Sequence, residues 1–562
     1  MKIIIPMSGV GARFAAAGYK ALKPLIDVDG MPIIEHVVNL FPGETDIVFI
    51  CNKEHLATTN MRDILLAICP TAQIVGIDPH KKGPVYAVSK VLDLIDDQEE
   101  VIVNYCDFST YWDYKDFLAV VRNAGADGSI PSYRGFHPHM LHSPNYAFIK
   151  EENKWLEVIK EKEPFTTNRM AEYASNGTYY FKKGAYIKKY FPELMALDHH
   201  INGEYYVSLV YNLLKRDGLK TLVYEVQHML QWGTPQDLEE YEQWSAYFAA
   251  VMNQKAATVT QNTINLIPMA GRGQRFADAG YTLPKPLIPV SGKPMIVQAT
   301  ESLASAGEHR FICLKDHIIA NPAIEQTLTS SFTNAKIVTL DAVTEGQACS
   351  AMHGITEADM QRPLLIGACD NGMLWNSQKY QALINDHSID AIVWTFKNHP
   401  ASKRNPSMYG WVCTEDGMRV TDVSVKKQIS SDPGNDHAIV GTFYFATAKI
   451  FETAVQYLYD DNIRVNNEFY IDSCIGVLAQ RGYNVRIFEV EHYVCWGTPQ
   501  DYQTFEYWQS FFHKCDWHPY SLDQDPTVPL HAVSHLEARY QERVASLPAT
   551  EVAGIELQRS TL

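Results

Sequence analysis

The chain has 562 residues, which is too long for one ordinary domain. Its 48 Lys and Arg against 65 Asp and Glu give a net charge of −17, which excludes a general attraction to nucleic acids or acidic membranes. The ten cysteines are scattered without C-x-x-C spacing, and no apolar stretch is long enough to span a bilayer. We therefore expect a soluble cytoplasmic protein with no nucleic-acid or membrane partner, which holds any anionic ligand with a local cluster of cations.

The sequence contains two copies of one domain. Positions 6–25 and 268–287, which lie 262 residues apart, are identical at 13 of 20 positions, and the hexapeptide WGTPQD occurs at 232–237 and again at 496–501. A period this long indicates a duplicated domain rather than a solenoid. We predict a first domain over 1–252, a polar linker over 253–262, a second domain over 263–515, and a tail over 516–562 with one helix at 532–546.

Short apolar runs alternate with helical patterns in each copy. They cover 2–6, 47–51 and 101–104 in the first copy, and 264–268, 311–314 and 364–367 in the second. Runs with so few polar positions are typical of buried parallel strands, and the segments between them are long enough for crossover helices. The pattern predicts two tandem doubly wound, Rossmann-like α/β domains with mixed, mainly parallel sheets and a short helical tail.

The first strand of each copy leads into a glycine-rich loop, G-x-G-x-R-F, and a lysine follows ten residues after the arginine. Glycines let the backbone turn tightly and bring N–H groups against a phosphate, while two nearby cations suit a triphosphate and its leaving group. A dinucleotide fingerprint is disfavoured, because Arg and Phe occupy the region of its third glycine. The predicted phosphate-binding residues are Gly9, Gly11, Arg13 and Lys23 in the first copy, and Gly271, Gly273, Arg275 and Lys285 in the second.

An acidic residue follows the third buried strand of each copy. Asp107 lies 84 positions after Lys23, and Asp370 lies 85 positions after Lys285. Ligands bind beyond the carboxyl ends of strands in α/β sheets, and Mg²⁺ takes one or two carboxylates together with phosphate oxygens. Both aspartates are therefore candidate magnesium ligands, with a helix N-cap as the alternative role.

Together, the glycine loop, the K-P-L tripeptide that contains the lysine, and the strand that ends in Asp resemble the sugar-1-phosphate nucleotidylyltransferase, or NDP-sugar pyrophosphorylase, family. The second copy is closer to the family pattern, and the first departs from it at Ser8, Val10 and Leu22. The resemblance implies an enzyme that joins a nucleoside triphosphate to a sugar 1-phosphate, releases pyrophosphate, uses Mg²⁺ and supplies polysaccharide or glycan precursors. The resemblance also implies that Asp107 and Asp370 bind the metal ion, and that the arginines and lysines of the two loops bind the phosphates.

A second metal carboxylate is less clearly indicated. Glu204 and Glu468 recur 264 positions apart, so each is a candidate, and a packing role stays open for both. The aspartates of the two WGTPQD segments, Asp237 and Asp501, are alternatives. Asp472 has no acidic counterpart, since Ser208 takes its place in the first copy.

The segment that reads the base in the family differs between the copies. The second copy has T-E-G-Q-A at 344–348, close to the family's G-Q-A pattern, with Gly346 and Gln347 as candidate nucleotide contacts. The first has K-K-G-P at 81–84, with Gly83 as the candidate; the proline lacks an N–H, so this pocket is expected to choose another nucleotide or to work less well. The acceptor-binding residues that the resemblance implies are Lys162 and Gly177 in the first copy, and Gly441 with either Lys426 or Lys427 in the second.

Two further groups of residues receive structural predictions. His137, His139 and His142 lie close together in the sequence, and we favour a loop near the acceptor mouth over a metal site. Trp232 and Trp496 are expected to support packing near the acceptor pocket.

The predicted reaction is in-line attack by an acceptor phosphate oxygen on the α-phosphorus of the triphosphate, without a protein nucleophile. Three rival interpretations stay open. One copy catalyses while the other regulates or packs; both copies are non-catalytic nucleotide sensors; or the acceptor is a phosphorylated alcohol or amino-acid derivative, such as a phosphocholine-like group that gives a CDP-linked product. The identity of the base and a homo-oligomeric state also stay open.

Overall fold

The computed structural model describes residues 1–254 and 260–541. The described chain forms two compact units: unit 1 contains 1–245 and 514–518, and unit 2 contains the rest. None of the helices in the described ranges combines the length and the apolar character that a membrane crossing requires. The middle of the predicted linker and the tail beyond 541 lie outside the described residues.

Unit 1 alternates strands and helices along the chain, as the apolar runs predict. Its strands are Lys2–Met7 (β1), Asp27–Val28 (β2), Met31–Pro32 (β3), Asp46–Asn52 (β4), Gln73–Ile77 (β5), Val101–Asn104 (β6), Phe108–Tyr111 (β7), Gly128–Tyr133 (β8), Ala147–Glu152 (β9), Trp155–Glu161 (β10), Tyr173–Ser175 (β11), Thr178–Phe181 (β12), Thr221–Glu225 (β13) and His228–Gln231 (β14). Its helices are Ala12–Ala16 (α1), Ile33–Asn39 (α2), Lys53–Thr58 (α3), Met61–Ile68 (α4), Gly83–Val88 (α5), Tyr114–Asn123 (α6), Gly184–Ala196 (α7), Val207–Arg216 (α8) and Pro235–Val251 (α9), of which α9 ends in unit 2.

Unit 2 repeats this order of elements. Its strands are Thr260–Pro268 (β15), Pro289–Val290 (β16), Lys293–Pro294 (β17), Ala306–Leu314 (β18), Ala335–Leu340 (β19), Leu364–Ile366 (β20), Asn371–Leu374 (β21), Ala391–Phe396 (β22), Gly410–Glu415 (β23), Arg419–Val425 (β24), His437–Phe445 (β25), Val485–Glu489 (β26) and His492–Cys495 (β27). Its helices are Gln274–Asp278 (α10), Met295–Glu301 (α11), Lys315–Ala320 (α12), Ala323–Ser331 (α13), Gln347–Met352 (α14), Ser377–Ile384 (α15), Pro400–Arg404 (α16), Ala448–Asp460 (α17), Ile471–Gln480 (α18), Pro499–Lys514 (α19) and Leu530–Gln541 (α20).

The main sheet of each unit is mixed. In unit 1 the strand order is β11-β9-β10-β13-β8-β12-β6-β1-β4-β5, and in unit 2 it is β19-β18-β15-β20-β25-β22-β26-β24-β23. The strands that flank the glycine loop are parallel, with Ile3 paired to Ile47 on one side and to Ile102 on the other. Most of the remaining pairs are antiparallel, so the predicted mixed α/β fold is confirmed, but the expectation of mainly parallel sheets is wrong. The parallel pairs are concentrated around the strand that leads into the glycine loop.

The apolar runs are continuous because the central strands are covered on both faces. In unit 2, Ile312 and Leu314 of β18 belong to one buried cluster, while Phe311 and Cys313 belong to the other. Alternating side chains of a strand point to opposite faces of its sheet, so both sets must be apolar. Strand β15 starts at Thr260, earlier than the predicted strand at 264–268, because Thr260 already pairs with Ala306 of β18.

A two-stranded ribbon beside each main sheet joins two distant parts of the chain. Strand β7 pairs with β14 in unit 1, and β21 pairs with β27 in unit 2. The first strand of each ribbon begins directly after the predicted metal aspartate, and the second ends directly before WGTPQD. The ribbon therefore brings the hexapeptide to the carboxyl end of the central strands.

Candidate functional site

The glycine loops have the same backbone conformation in both units. Gly11 has φ +64° and Gly273 has φ +63°, in the left-handed region that favours glycine, and each precedes a short helix. Gly9 and Gly271 face open space, since a Cβ atom added at either would have no neighbour within 4 Å. The loop backbone is therefore accessible to a ligand at these two positions.

The predicted lysine and aspartate contact each other in both units. Lys23 Nζ lies 2.6 Å from Asp107 Oδ2, and Lys285 Nζ lies 2.5 Å from Asp370 Oδ2. Burial acts to lower the pKa of Lys285, but the Asp370 carboxylate outweighs it and raises that pKa, so this lysine stays charged. Residues 84 or 85 positions apart in the chain thus form the same ion pair in both units.

The glycine of WGTPQD completes this centre, and sequence reasoning missed it. The carbonyl oxygens of Gly233 and Gly497 each accept a hydrogen bond of 3.2 Å from the site lysine. A Cβ atom added at either glycine would lie 3.3 Å from the Oδ2 atom of Asp107 or Asp370. The exact recurrence of the hexapeptide was the available signal, but the sequence prediction concerned its tryptophan and gave its glycine no role.

The other residues of WGTPQD have structural contacts. Trp232 and Trp496 are buried, and their backbone N–H groups donate to the carbonyls of Asp107 and Asp370, at 3.0 and 2.9 Å. The carboxyl of Asp237 accepts a hydrogen bond from the hydroxyl of Thr234 at 2.6 Å, and Thr498 does the same for Asp501 at 2.7 Å. Burial raises the pKa of Asp237 to about 6.

A cavity of about 370 Å³ in unit 1 brings many of the predicted residues together. Its walls include the glycine loop, the lysine–aspartate pair and the segments around 83 and 204. The predicted residues that line it are Gly9, Gly11, Lys23, Gly83, Asp107 and Glu204. Arg13 and Arg275 are exposed on the helices that follow the two loops, α1 and α10.

Gly83 and Gly346 sit where two backbone segments approach each other. Tyr205 N donates to the carbonyl of Lys82 at 2.9 Å, and a Cβ atom added at Gly83 would lie 2.8 Å from the backbone of Tyr205. In unit 2, Phe469 N donates to the carbonyl of Glu345 at 2.8 Å, and the backbone of Phe469 approaches Gly346 even more closely. These contacts fix the base-side segment against the turns that carry Glu204 and Glu468. Gln347 is exposed at the start of α14.

The segment that is predicted to contact the base in unit 1 lies beside a pair of polar side chains that unit 2 lacks. His80 Nδ1 accepts a hydrogen bond from Lys82 N at 3.1 Å, and its Nε2 lies 3.0 Å from Ser8 Oγ. Burial lowers the pKa of His80, and Lys82 and Lys90 lower it further. The positions of Ser8 and His80 are occupied by Ala270 and Val343 in unit 2, so the two units differ chemically here.

The predicted acceptor lysine of each unit has an unusual backbone conformation. Lys162 has φ +60° and Lys426 has φ +59°. Lys162 N donates to the carbonyl of Tyr146 at 2.8 Å, and Lys426 N donates to that of Tyr409 at 2.9 Å. Lys426, rather than Lys427, is therefore the positional counterpart of Lys162.

Neighbouring side chains connect this lysine to the predicted second carboxylate. Lys162 Nζ donates to Tyr206 Oη at 2.6 Å, and Tyr206 Oη in turn donates to Glu204 Oε2. Gly177 has φ +103° and packs against the ring of Phe108, while Gly441 has φ +94°. The predicted acceptor glycines are thus required by the backbone, independently of any ligand.

The histidines of 137–142 are mostly buried, and the thiols beside the site are inert. Burial lowers the pKa of His137 to about 4, and His139 Nε2 lies 3.0 Å from Tyr133 Oη. Burial, with a smaller effect of the adjacent aspartate, raises the pKa of Cys106 and of Cys369 to about 12. Across 1–254 and 260–541, no three His, Cys, Asp or Glu side chains are grouped so as to hold a metal ion by themselves.

Comparisons with known proteins agree with this geometry. A family model described as the MobA-like NTP transferase domain matches residues 3–163 and 266–463, more than half of the chain, and confirms the resemblance found in the sequence. The bifunctional protein GlmU of Bacillus cereus (strain AH187) is 21% identical over 238 residues, which are 41% of this chain and 48% of that protein. The chain thus spans about half the length of the curated relatives it matches.

Two solved structures are also similar to parts of the chain. The nucleoside-diphosphate-sugar pyrophosphorylase from Vibrio cholerae RC9 has 21% sequence identity and a TM-score of 0.36, over 42% of this chain and 98% of that one. The inositol-1-phosphate CTP transferase from T. maritima has 12% identity and a TM-score of 0.34, over 46% of this chain and 98% of that one.

Proposed function

Because the chain belongs to the MobA-like NTP transferase family, we propose that each unit transfers a nucleotidyl group from a nucleoside triphosphate to a phosphorylated small molecule, most often a sugar 1-phosphate. The observation that carries this proposal is the lysine–aspartate pair beside the glycine loop, which recurs with the same contacts in both units. A non-catalytic sensor would have no need to keep the pair and its WGTPQD glycine twice.

The residues present fit a magnesium ion that arrives with the triphosphate. Asp107 and Asp370 offer hard carboxylate oxygens at the carboxyl ends of buried strands. No all-protein cage is needed, because Mg²⁺ keeps waters and phosphate oxygens among its ligands. Asp107, with Glu204 as the second candidate, would hold it in unit 1, and Asp370 with Glu468 in unit 2. When bound, the ion neutralises charge on the phosphates.

The chain's own residues bind and orient the two substrates. The loop backbone around Gly9 and Gly11 receives the phosphates, and Lys23 exchanges its contact with Asp107 for a contact with them. Lys162 holds the phosphate of the acceptor. An oxygen of that phosphate forms a bond to the α-phosphorus while the bond from the α-phosphorus to the bridging oxygen breaks, so pyrophosphate leaves. The buried thiols beside the site take no part, since they stay protonated.

The setting of this reaction is part of the proposal. We place the protein in the cytoplasm, where nucleoside triphosphates are made, and its product in the supply of surface polysaccharide or glycan precursors. The ten unpaired cysteines support a reducing compartment. A non-sugar acceptor with a CDP-linked product is the second candidate, supported by the polar base side of unit 1, where Ser8 and His80 replace the apolar pair of unit 2.

The test is release of pyrophosphate by the full chain with Mg²⁺. ATP, CTP, GTP, UTP and dTTP are each combined with a panel of sugar 1-phosphates and with phosphocholine. We expect release with at least one pair, and loss of release when Mg²⁺ is removed with a chelator. A chain that binds nucleotides but releases no pyrophosphate with any pair would refute the proposal and favour a nucleotide sensor.

A further inference from the structure

A lysine, a glutamate and a tyrosine recur together at the predicted acceptor end of the two units. The recurring pairs, each 264 positions apart, are Lys162 and Lys426, Glu204 and Glu468, and Tyr206 and Tyr470. The residue just before the tyrosine is Tyr205 in unit 1 but Phe469 in unit 2, so the chain keeps a phenol at one position and not at its neighbour. The lysine and the glutamate have predicted roles, whereas no role has been assigned to the tyrosine.

In unit 1 the phenol lies between the lysine and the carboxylate. Tyr206 Oη accepts a hydrogen bond of 2.6 Å from Lys162 Nζ and donates one to Glu204 Oε2. Within the described part of the chain Lys162 forms no ion pair, in contrast to Lys23, whose Nζ contacts Asp107 directly. The direct partner of the acceptor lysine is thus a neutral hydroxyl and not a carboxylate.

Tyr206 also connects this lysine to the cavity of unit 1. Tyr206 and Glu204 line the cavity together with the lysine–aspartate pair of the centre. The backbone on both sides of the tyrosine is held by hydrogen bonds that Tyr205 N and Val207 N donate, at 2.9 and 3.3 Å. The hydroxyl that binds Lys162 is therefore fixed at the wall of the cavity.

A neutral partner suits a lysine that has to bind a phosphate. An ammonium group has three N–H donors, so Lys162 can keep its bond to Tyr206 while it donates to an incoming phosphate. A carboxylate in direct contact would oppose the charge of the lysine and would have to be displaced first. Without any partner the long lysine side chain would be free to rotate, and its ordering on binding would lower the affinity for the phosphate.

The lysine of unit 2 contacts the equivalent tyrosine in another way. Lys426 Nζ lies over the ring of Tyr470, 5.4 Å from its centroid. In unit 1 the corresponding distance is 4.7 Å, and the hydroxyl of Tyr206 accepts a hydrogen bond from the lysine as well. An ammonium group is attracted to the face of an aromatic ring whether or not the ring carries a hydroxyl. The tyrosine therefore holds the lysine through its hydroxyl in unit 1 and through its ring in unit 2.

We propose that Tyr206 and Tyr470 are positioning residues of the acceptor site, each of which holds the acceptor lysine in place as a cation without a direct carboxylate partner. Glu204 accepts the phenol proton, which leaves the lone pairs of Tyr206 Oη for Lys162. This inference rests on the proposed function and concerns how the lysine of the same site binds the phosphate of the acceptor.

The test measures each unit in the full chain with the other silenced, by Asp370→Ala for unit 1 and by Asp107→Ala for unit 2. The acceptors are glucose 1-phosphate, mannose 1-phosphate, N-acetylglucosamine 1-phosphate and phosphocholine. Tyr206→Phe should raise KM for the acceptor that unit 1 uses about tenfold, with kcat changed less than threefold and KM for the triphosphate less than twofold. Tyr470→Phe keeps the ring and should raise the acceptor KM of unit 2 less than twofold, whereas Tyr470→Leu should raise it about fivefold.

A double-variant cycle links the effect to the lysine. Once Lys162→Ala has removed the amine, adding Tyr206→Phe should change the acceptor KM less than twofold further. The Mg²⁺ concentration that gives half-maximal rate should stay the same in Tyr206→Phe. Tyr186→Phe is the matched control, since it removes a phenol–carboxylate hydrogen bond of 3.0 Å, to Asp127, at a residue that does not line the cavity.

Each alternative outcome has its own meaning. An unchanged acceptor KM in Tyr206→Phe, or an equal rise in KM for acceptor and triphosphate, overturns the inference and leaves the proposed function standing. The same holds if the effect persists in the Lys162→Ala chain, or if more Mg²⁺ is required, because Tyr206 then acts by another route. Equal effects of Tyr206→Phe and Tyr470→Phe overturn the distinction between hydroxyl and ring. If the unsubstituted chain releases no pyrophosphate with any acceptor, the proposed function falls and the inference falls with it.

Discussion

The two units keep one reaction centre and differ at both ends of it. The lysine, the aspartate and the WGTPQD glycine have the same contacts in each unit, within about 0.1 Å for the lysine–aspartate pair. At the predicted base side, unit 1 has Ser8 and His80 where unit 2 has Ala270 and Val343. Near the predicted acceptor lysines, unit 1 has Glu161 and Ser208 where unit 2 has Val425 and Asp472. In the proposed reaction the centre binds the phosphates, which all the candidate substrates share, and the two ends bind the parts in which those substrates differ.

This contrast agrees with the proposal that both units are working sites. A unit that had lost its function would be free to lose the buried charges first, because an ionisable group without a role costs stability when it is buried. Unit 2 lacks the carboxyl of Glu161 but has that of Asp472, and the missing side chain of Gly410 leaves room for it.

The largest expected effect comes from the aspartates of the two centres. Asp107→Ala should lower the turnover of unit 1 on the order of 10³-fold, about 4 kcal/mol of transition-state stabilisation, and Asp370→Ala should do the same in unit 2. Each single variant should leave the activity of the other unit, and the double variant should leave none. Pyrophosphate release measures all three, with Asp113→Asn, an exposed helix cap, as the matched control. If one aspartate accounts for all turnover and the other for none, the proposal that both units are active is wrong.

The buried carboxyls Glu161 and Asp472 predict that the stability of each unit falls as the pH rises. Because the pKa of Glu161 is raised from 4.5 to about 7, its contribution to folding is complete below pH 4.5 and is lost as the pH rises through 7. Glu161→Gln removes this loss, so the variant should gain stability relative to the unsubstituted chain between pH 5 and 8, by on the order of 3 kcal/mol. Asp472→Asn should behave in the same way in unit 2, over a window that ends near pH 6.

Urea unfolding of the full chain at pH 5 and at pH 8 measures this change. Glu163→Gln, at an exposed position two residues away, provides the matched control and should show no dependence on pH. A stability difference for Glu161→Gln that stays constant from pH 5 to 8 would show that the carboxyl is not held in its neutral form.

The close backbone approach at the base side predicts a stability effect of intermediate size. Gly346 has φ +137°, and an added Cβ atom would meet the backbone of Phe469, which cannot move without disturbing the turn that carries Glu468. Gly346→Ala should therefore cost at least about 2 kcal/mol more than Gly482→Ala, where φ is +87° but an added Cβ atom meets nothing within 4 Å. Thermal unfolding compares the two variants, and equal midpoints would show that the contact is not rigid.

The sequence was sufficient to predict the features that recur at constant spacing. The two copies and the mixed α/β fold follow from the repeated motifs and from the buried strands that precede them. The contact of Gly233 with Asp107 was not predictable in this way, because it depends on the pairing of β7 with β14, two strands more than a hundred residues apart. The presence of Glu161 in unit 1 and of Asp472 in unit 2 could not be interpreted from the sequence either. The difference involves three positions on three elements, and only their packing shows that they compensate each other.

The choice between Lys426 and Lys427 shows how register decides a question that sequence leaves open, and it gives the smallest predicted effect. Both lysines follow the end of β24 at Val425, and only one of two adjacent residues can have the backbone position that Lys162 has after β10. The pairing of Val425 with Gly410 and the shared positive φ assign that position to Lys426. Lys426→Ala should raise KM for the acceptor about tenfold, equivalent to about 1.4 kcal/mol, whereas Lys427→Ala should change it less than twofold. Steady-state kinetics of unit 2 in the Asp107→Ala chain measure both, and a larger effect at Lys427 would mean that Lys427, rather than Lys426, binds the acceptor phosphate.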